Sequence, residues 1–176
     1  CNNVVNTSEI QSTNKSEEIP PFTEEITKEE LEKINSDIKV IIQSLNNRDV
    51  ESMKTLFDDT TLQKVTSFDE RMKYVFDMLD GNIVNVEERK LNKVDSSGLV
   101  ESEWYYIYIS YDIYTETNIY PLDVVYVCNK KMKIEDTGVY SINISDLDRE
   151  DEYYEYLNGK TSVAGIFSTE IDTIEY

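Results

Sequence analysis

Acid–base chemistry in this chain would have to rest on carboxylates and phenols, because it contains no histidine. Asp112 and Asp123 stand among tyrosines in strand-like runs, and a buried Tyr–Asp set can move protons once its environment separates the pKa values. Yet 36 acidic residues in 176 make a carboxylate pair in some cleft an expected coincidence. No spacing singles one out, so no catalytic residue is assigned. Binding chemistry is better marked. Between Leu99 and Thr115 the strand period of two places Trp104, Tyr106, Tyr108, Ser110, Asp112 and Tyr114 on one face. Tyr105, Ile107, Ile109, Tyr111 and Ile113 fall on the other, and Tyr120 and Tyr126 of the next run could join the aromatic side. A row formed by Trp104, Tyr106, Tyr108 and Tyr114 could stack on a glycan, grip a peptide or hold a small molecule, with phenol hydroxyls bonding the ligand's rim. The same pattern also arises because Tyr favours strands and suits a half-wet face or a contact between two copies of the chain.

Metal and cofactor chemistry find little support. The run Asp146-Leu147-Asp148-Arg149-Glu150-Asp151-Glu152 offers oxygen ligands at alternate positions, as calcium prefers. It has Asp151 where an EF-hand loop needs Gly and Leu157 where it needs Glu. An acidic, solvated surface is the simpler reading, and no metal is assigned. The five glycines stand far apart, so neither a dinucleotide fingerprint nor a P-loop can be drawn, and no cofactor is expected. A formal charge of −19 repels phosphate backbones and removes nucleic acid from the expected partners.

The elements that must position the aromatic row follow from periodicity. Thr27 and Glu30 form a capping box, and Leu31, Ile34, Ile38, Ile41, Ile42 and Leu45 recur at helical spacing up to Asn46-Asn47. Asp49 can cap a second helix bearing Val50, Met53, Leu56 and Phe57. A second capping box at Ser67–Glu70 opens a third, with Phe68, Met72, Val75, Phe76 and Leu79 on one face and Asp80-Gly81 as its stop. Thereafter the period becomes two: Ile83–Val94, Leu99–Thr115, Ile119–Cys128 and Gly138–Ile144 read as strands. Three helices packed on one face of an antiparallel sheet of about four strands is an α+β plan. Ile34, Ile38, Ile41, Phe76, Ile107 and Ile109 should share its core. The opposite, aromatic face then meets water, a ligand, a second subunit or the Tyr-rich acidic segment 145–176.

The element order resembles the NTF2-like (cystatin-like) α+β cone with its curved sheet. Local strings carry a narrower likeness: Asp49-x-Glu51…Leu56-Phe57, Asp69-Glu70-Arg71-Met72…Phe76…Asp80-Gly81-Asn82-Ile83-Val84 and Gly138-Val139-Tyr140-Ser141-Ile142. Over roughly residues 28–145 these are similar to a DUF5104-type lipoprotein family of low-GC Gram-positive bacteria, with a weaker echo at Gly165-Ile166-Phe167. That resemblance implies a fold and an address on the outer face of the cell membrane, and no activity. Cys1, ahead of a polar run ending in Pro20-Pro21, looks like the lipid-bearing residue of a mature bacterial lipoprotein. The expectation is a lipidated tether over 1–22 and one domain over 23–176. A tether of that kind spans about 25 Å on average, and each buried CH₂ of an acyl chain holds it to the membrane by about 0.8 kcal/mol. Cys128 closes an apolar run and reads as a small buried hydrophobe. The whole is read as a surface-displayed, non-catalytic binding or scaffolding domain, with a small-molecule or glycan site and a Tyr/Asp enzyme of the ketosteroid isomerase-like kind as alternatives.

Overall fold

A computed structural model describes residues 25–95, 103–145 and 165–168. The first described element is helix α1 (Lys28–Asn47), whose Thr27 and Glu30 close the expected capping box: Thr27 Oγ1 accepts from the Glu30 N–H, and the Glu30 carboxylate accepts from the Thr27 N–H. Helix α2 (Val50–Lys54) is capped by Asp49, which accepts from the Ser52 N–H at 3.0 Å. A further short helix, α3 (Asp59–Leu62), starts where Asp58 accepts from both the N–H and the hydroxyl of Thr61. Helix α4 (Phe68–Met78) follows, and Gly81 takes the left-handed φ of +81° that turns the chain out of it.

Five strands follow: β1 (Ile83–Asp95), β2 (Trp104–Thr115), β3 (Ile119–Asn129), β4 (Val139–Ile144) and β5 (Gly165–Ser168). They lie in that order across one sheet. β1 to β4 pair antiparallel and β5 adds parallel to β4, so the sheet is mixed. The architecture is therefore α+β, helices first and sheet second, with one more helix and one more strand than the sequence predicts. Both additions are short. Four residues of α3 or β5 are too few for a periodicity to register.

The core lies between the helices and one sheet face. Ile107, Ile109 and Ile113 of β2, Leu122 and Val124 of β3, and Ile142 and Ile144 of β4 are buried there with Ile34, Ile41, Met72, Val75 and Phe76. The expected apolar face of α4 is buried throughout. Its Arg71 is buried as well and donates to the Ile166 carbonyl at 3.3 Å, tying β5 to the helix.

Two expectations about the helices require correction. The inward face of α1 is Glu30, Ile34, Asp37, Ile41, Ser44 and Leu45, whereas Leu31 is exposed and Ile38 only half-buried. Counting apolar residues alone rotates the predicted stripe, because three of the inward positions are polar. Ser67, expected to cap α4, makes no capping hydrogen bond; it adopts left-handed φ and ψ of 55° and 40°, which turn its side chain away from that task. Helix α1 ends at Asn47, as the sequence suggests, and the left-handed residue after it is Arg48. Asn46 instead holds the start of β1 by accepting from the Ile83 N–H at 2.7 Å.

Candidate functional site

The even-numbered residues of β2 face away from the helices, and at the Trp104 end they floor a groove of about 700 Å³. Tyr106 and Tyr108, two residues apart on one strand, set their rings 6.0 Å apart and 22° from parallel. Trp104 continues the row and is 45% exposed. Antiparallel register puts Asn129 opposite Trp104 and Val127 opposite Tyr106, and both residues line the same floor.

A fourth aromatic arrives by an irregularity. The β3–β4 register jumps between Val125↔Ser141 and Tyr126↔Val139, leaving Tyr140 as an extra residue in β4. Such a bulge re-aims side chains: Val139 is buried with the core while Tyr140 lines the groove.

One wall is the segment from Asp58 to Lys64, contributing Asp58, Thr60, Thr61 and Lys64. It lies against the start of β4, where the Val139 N–H donates to the Leu56 carbonyl at 2.8 Å. Gly138 permits that approach, since a Cβ there would collide with the Asp58 nitrogen and crowd the Phe57 and Leu56 backbone. The opposite wall comes from the β3–β4 connection through Met132, Asp136 and Thr137. Among the described residues the ionisable groups around the groove are Asp58, Asp136 and Lys64, besides the phenols. Burial, followed by the neighbouring Tyr106, pushes the Tyr108 hydroxyl above its ordinary pKa, so at neutral pH it is a hydrogen-bonding group and not a charge.

Of the four aromatic residues singled out from sequence, three meet here. Tyr114 does not: it lies further along β2, and its hydroxyl donates to Glu87 of β1 at 2.9 Å. Asp112 and Asp123 share the aromatic face but lie beyond the groove, Asp112 at 3.5 Å from Arg89 and Asp123 accepting from Ser110. Tyr120 and Tyr126, considered for this face, belong to the other one. Register pairs them with Ile113 and Ile107, and both are 1% exposed in the core. Cys1, the tether 1–22 and the acidic run 146–152 lie outside the described residues. So does most of the segment 145–176. Its described strand β5 buries Ile166 beside Ile142 on the helix side.

The space between α1 and the sheet is occupied by a polar layer that apolar patterning misses. Lys93 of β1 lies 3.0 Å from Glu30, and its ammonium stands 4.5 Å over the Tyr105 ring. Asp37 accepts from the Tyr126 hydroxyl at 3.0 Å and pairs with Lys33. Burial works to raise the Glu30 pKa, but the Thr27 N–H, Lys93 and Tyr105 together hold it below the usual value. Burial foremost, then the Asp37 charge, drives the Tyr126 phenol well above its own. Burial also lifts the free thiol of Cys128 to about 11, leaving it an unreactive small hydrophobe at neutral pH. The signal that could have revealed the layer is the spacing of Glu30, Asp37 and Ser44 at every seventh position of α1. For the groove, the contributors that sequence reading misses are Tyr140, the wall from Asp58 to Lys64, the opposite wall of Met132, Asp136 and Thr137, and Val127 and Asn129 in the floor. Of these only the Asp58–Thr61 cap carries a local sequence pattern.

Among the described residues no helix is long and apolar enough to cross a membrane, and no cluster of metal-ligating side chains occurs. A family model described as "Domain of unknown function (DUF5104)" matches residues 39–154, more than half of the chain. No curated protein matches it.

Proposed function

The chain belongs to the DUF5104 family, and we propose that it is a non-catalytic binding domain whose ligand occupies the aromatic groove. The observation that carries this reading is the use made of Trp104, Tyr106, Tyr108 and Tyr140. They line a concavity of about 700 Å³ instead of packing against helices, a volume within the roughly 300–1,000 Å³ of ligand pockets. Apolar ring faces on the floor and a few polar groups on the walls are the usual division of labour in such sites. An acid–base enzyme finds less support. The Tyr–Asp pair nearest that description, Tyr126 and Asp37, is buried under α1 with Lys33 as a third partner.

The domain is proposed to adopt the NTF2-like cone, in support of which the helices precede the sheet and cover one face of its antiparallel strands. It is further proposed to be displayed on the outer face of a Gram-positive-type cell membrane, anchored by a lipid on Cys1. Support comes from a thiol followed by the Asn-, Ser-, Thr- and Glu-rich run to Pro20-Pro21, whose composition suits a tether. Expressed in its host with the signal it requires, Cys1→Ser should leave the membrane fraction; unchanged retention would overturn the anchor.

Trp104 is the single tryptophan of the chain and lines the groove, so its fluorescence reports occupancy directly. Ligand binding should shift or quench that emission in the wild type. In the double variant Tyr106→Ala/Tyr108→Ala the response should weaken by a factor of about 10 or more. A ligand that binds both proteins equally would place the site elsewhere.

A further inference from the structure

We infer that the ligand of the aromatic groove is a neutral saccharide, an inference that rests on the binding reading above and specifies its chemistry. The floor decides the shape. The Tyr106 and Tyr108 rings, 6.0 Å apart and within 22° of parallel, stack on each other, and beside them Trp104 is 45% exposed on the same apolar floor. A pyranose ring offers the matching surface: one face of C–H groups, which the negative face of an aromatic ring attracts, and a belt of hydroxyls around the edge. The walls meet that belt with both donors and acceptors, through Thr60, Lys64, Asn129, Asp136 and the tyrosine hydroxyls. A carboxylate can accept from two neighbouring hydroxyls at once.

Two competing chemistries fit less well. A peptide added as a strand needs unpaired backbone groups, yet β2 is hydrogen-bonded to β1 on one side and β3 on the other. β4 is likewise paired with β3 and, over Ser141–Ile144, with β5. A peptide in the groove would have to rely on side-chain contacts alone. Among the described residues an anionic ligand meets two carboxylates against one lysine at the site, on a chain of formal charge −19. Phosphorylated, sulfated and uronic acid ligands are disfavoured by that field. A small organic cation has attraction from the acids, but Lys64 lies on the same wall.

The test uses the domain over residues 23–176 together with the full chain, and four probe sets followed by Trp104 fluorescence and by a glycan array. The sets are neutral oligosaccharides, uronic acid oligosaccharides, choline, and a random peptide pool. Binding to neutral oligosaccharides is expected, with affinity lowered by about tenfold or more in Tyr106→Ala and in Tyr108→Ala. Tyr108→Phe keeps the stacking face and should retain most of the affinity, which separates loss of the platform from loss of the fold. Far-UV circular dichroism checks that each variant is folded. A Trp104 response confined to choline, peptides or acidic saccharides would overturn the neutral-saccharide assignment while leaving the binding reading in place. Silence toward every probe set, with the wild type folded, would overturn both.

Discussion

Glu30 is 3% exposed, yet it keeps its charge by meeting Lys93 at 3.0 Å and accepting from the Thr27 N–H. Two charges removed from water attract strongly but cost much to desolvate, so removing one partner is the damaging change. Lys93→Met should therefore destabilise the domain by about 3–5 kcal/mol, whereas Glu30→Leu/Lys93→Met together should restore much of the loss; equal damage in single and double variants, read by urea denaturation, would contradict the pairing. The sign of the pH effect follows from the lowered pKa of Glu30. Its contribution is fully present above the ordinary glutamate value of about 4.3 and is lost as the pH falls through the lower, folded-state value. Glu30→Gln should accordingly show a shallower loss of stability below that pH than the wild type. Capping marks Glu30 in the sequence as a helix-start residue. Its second role depends on Lys93, 63 positions away, and no local pattern connects the two. Tyr126 was misplaced for a similar reason. A period of two gives the alternation of a strand but not which parity faces the helices, and only the register Ile107↔Tyr126 decides it.

At the scale of elements, α1 and the approach to β4 do most to shape the molecule. Ile41 is fully buried while Ile38 is half-buried, so Ile41→Ala should cost about 2–5 kcal/mol and Ile38→Ala distinctly less. Equal losses in thermal or chemical denaturation would restore the face that apolar spacing suggests. The helices themselves were legible because caps and turns are local: Thr27, Asp49 and Gly81 act as their types imply. The groove was legible only in its floor. Its wall depends on Gly138, where a side chain would strike the backbone of residues 56–58, and on a bulge at Tyr140 that no residue type announces. Gly138→Ala should push the Asp58–Lys64 wall away, weaken ligand binding and leave the α1–sheet core intact. Unchanged affinity in that variant would show that the wall contributes nothing to the site.

Across the whole molecule, the sheet separates two different uses of aromatic residues. On the helix side Tyr105, Tyr111, Tyr120 and Tyr126 are buried in the core; on the other side Trp104, Tyr106, Tyr108 and Tyr140 line the groove, while Val125, Ser141 and Asn143 of that face are buried. Composition could register only the abundance of tyrosine. The division needed five strands in register, including β5, whose parallel pairing joins residues 165–168 to β4. The central claim is that the groove is a ligand site, and isothermal titration of the folded domain with the neutral oligosaccharide giving the largest Trp104 response tests it most directly. The account predicts saturable one-site binding that Tyr106→Ala/Tyr108→Ala abolishes or weakens by about tenfold or more, with the variant still folded. Undiminished binding in that variant would contradict the account, and so would the absence of any heat of binding over the concentrations at which the fluorescence changes.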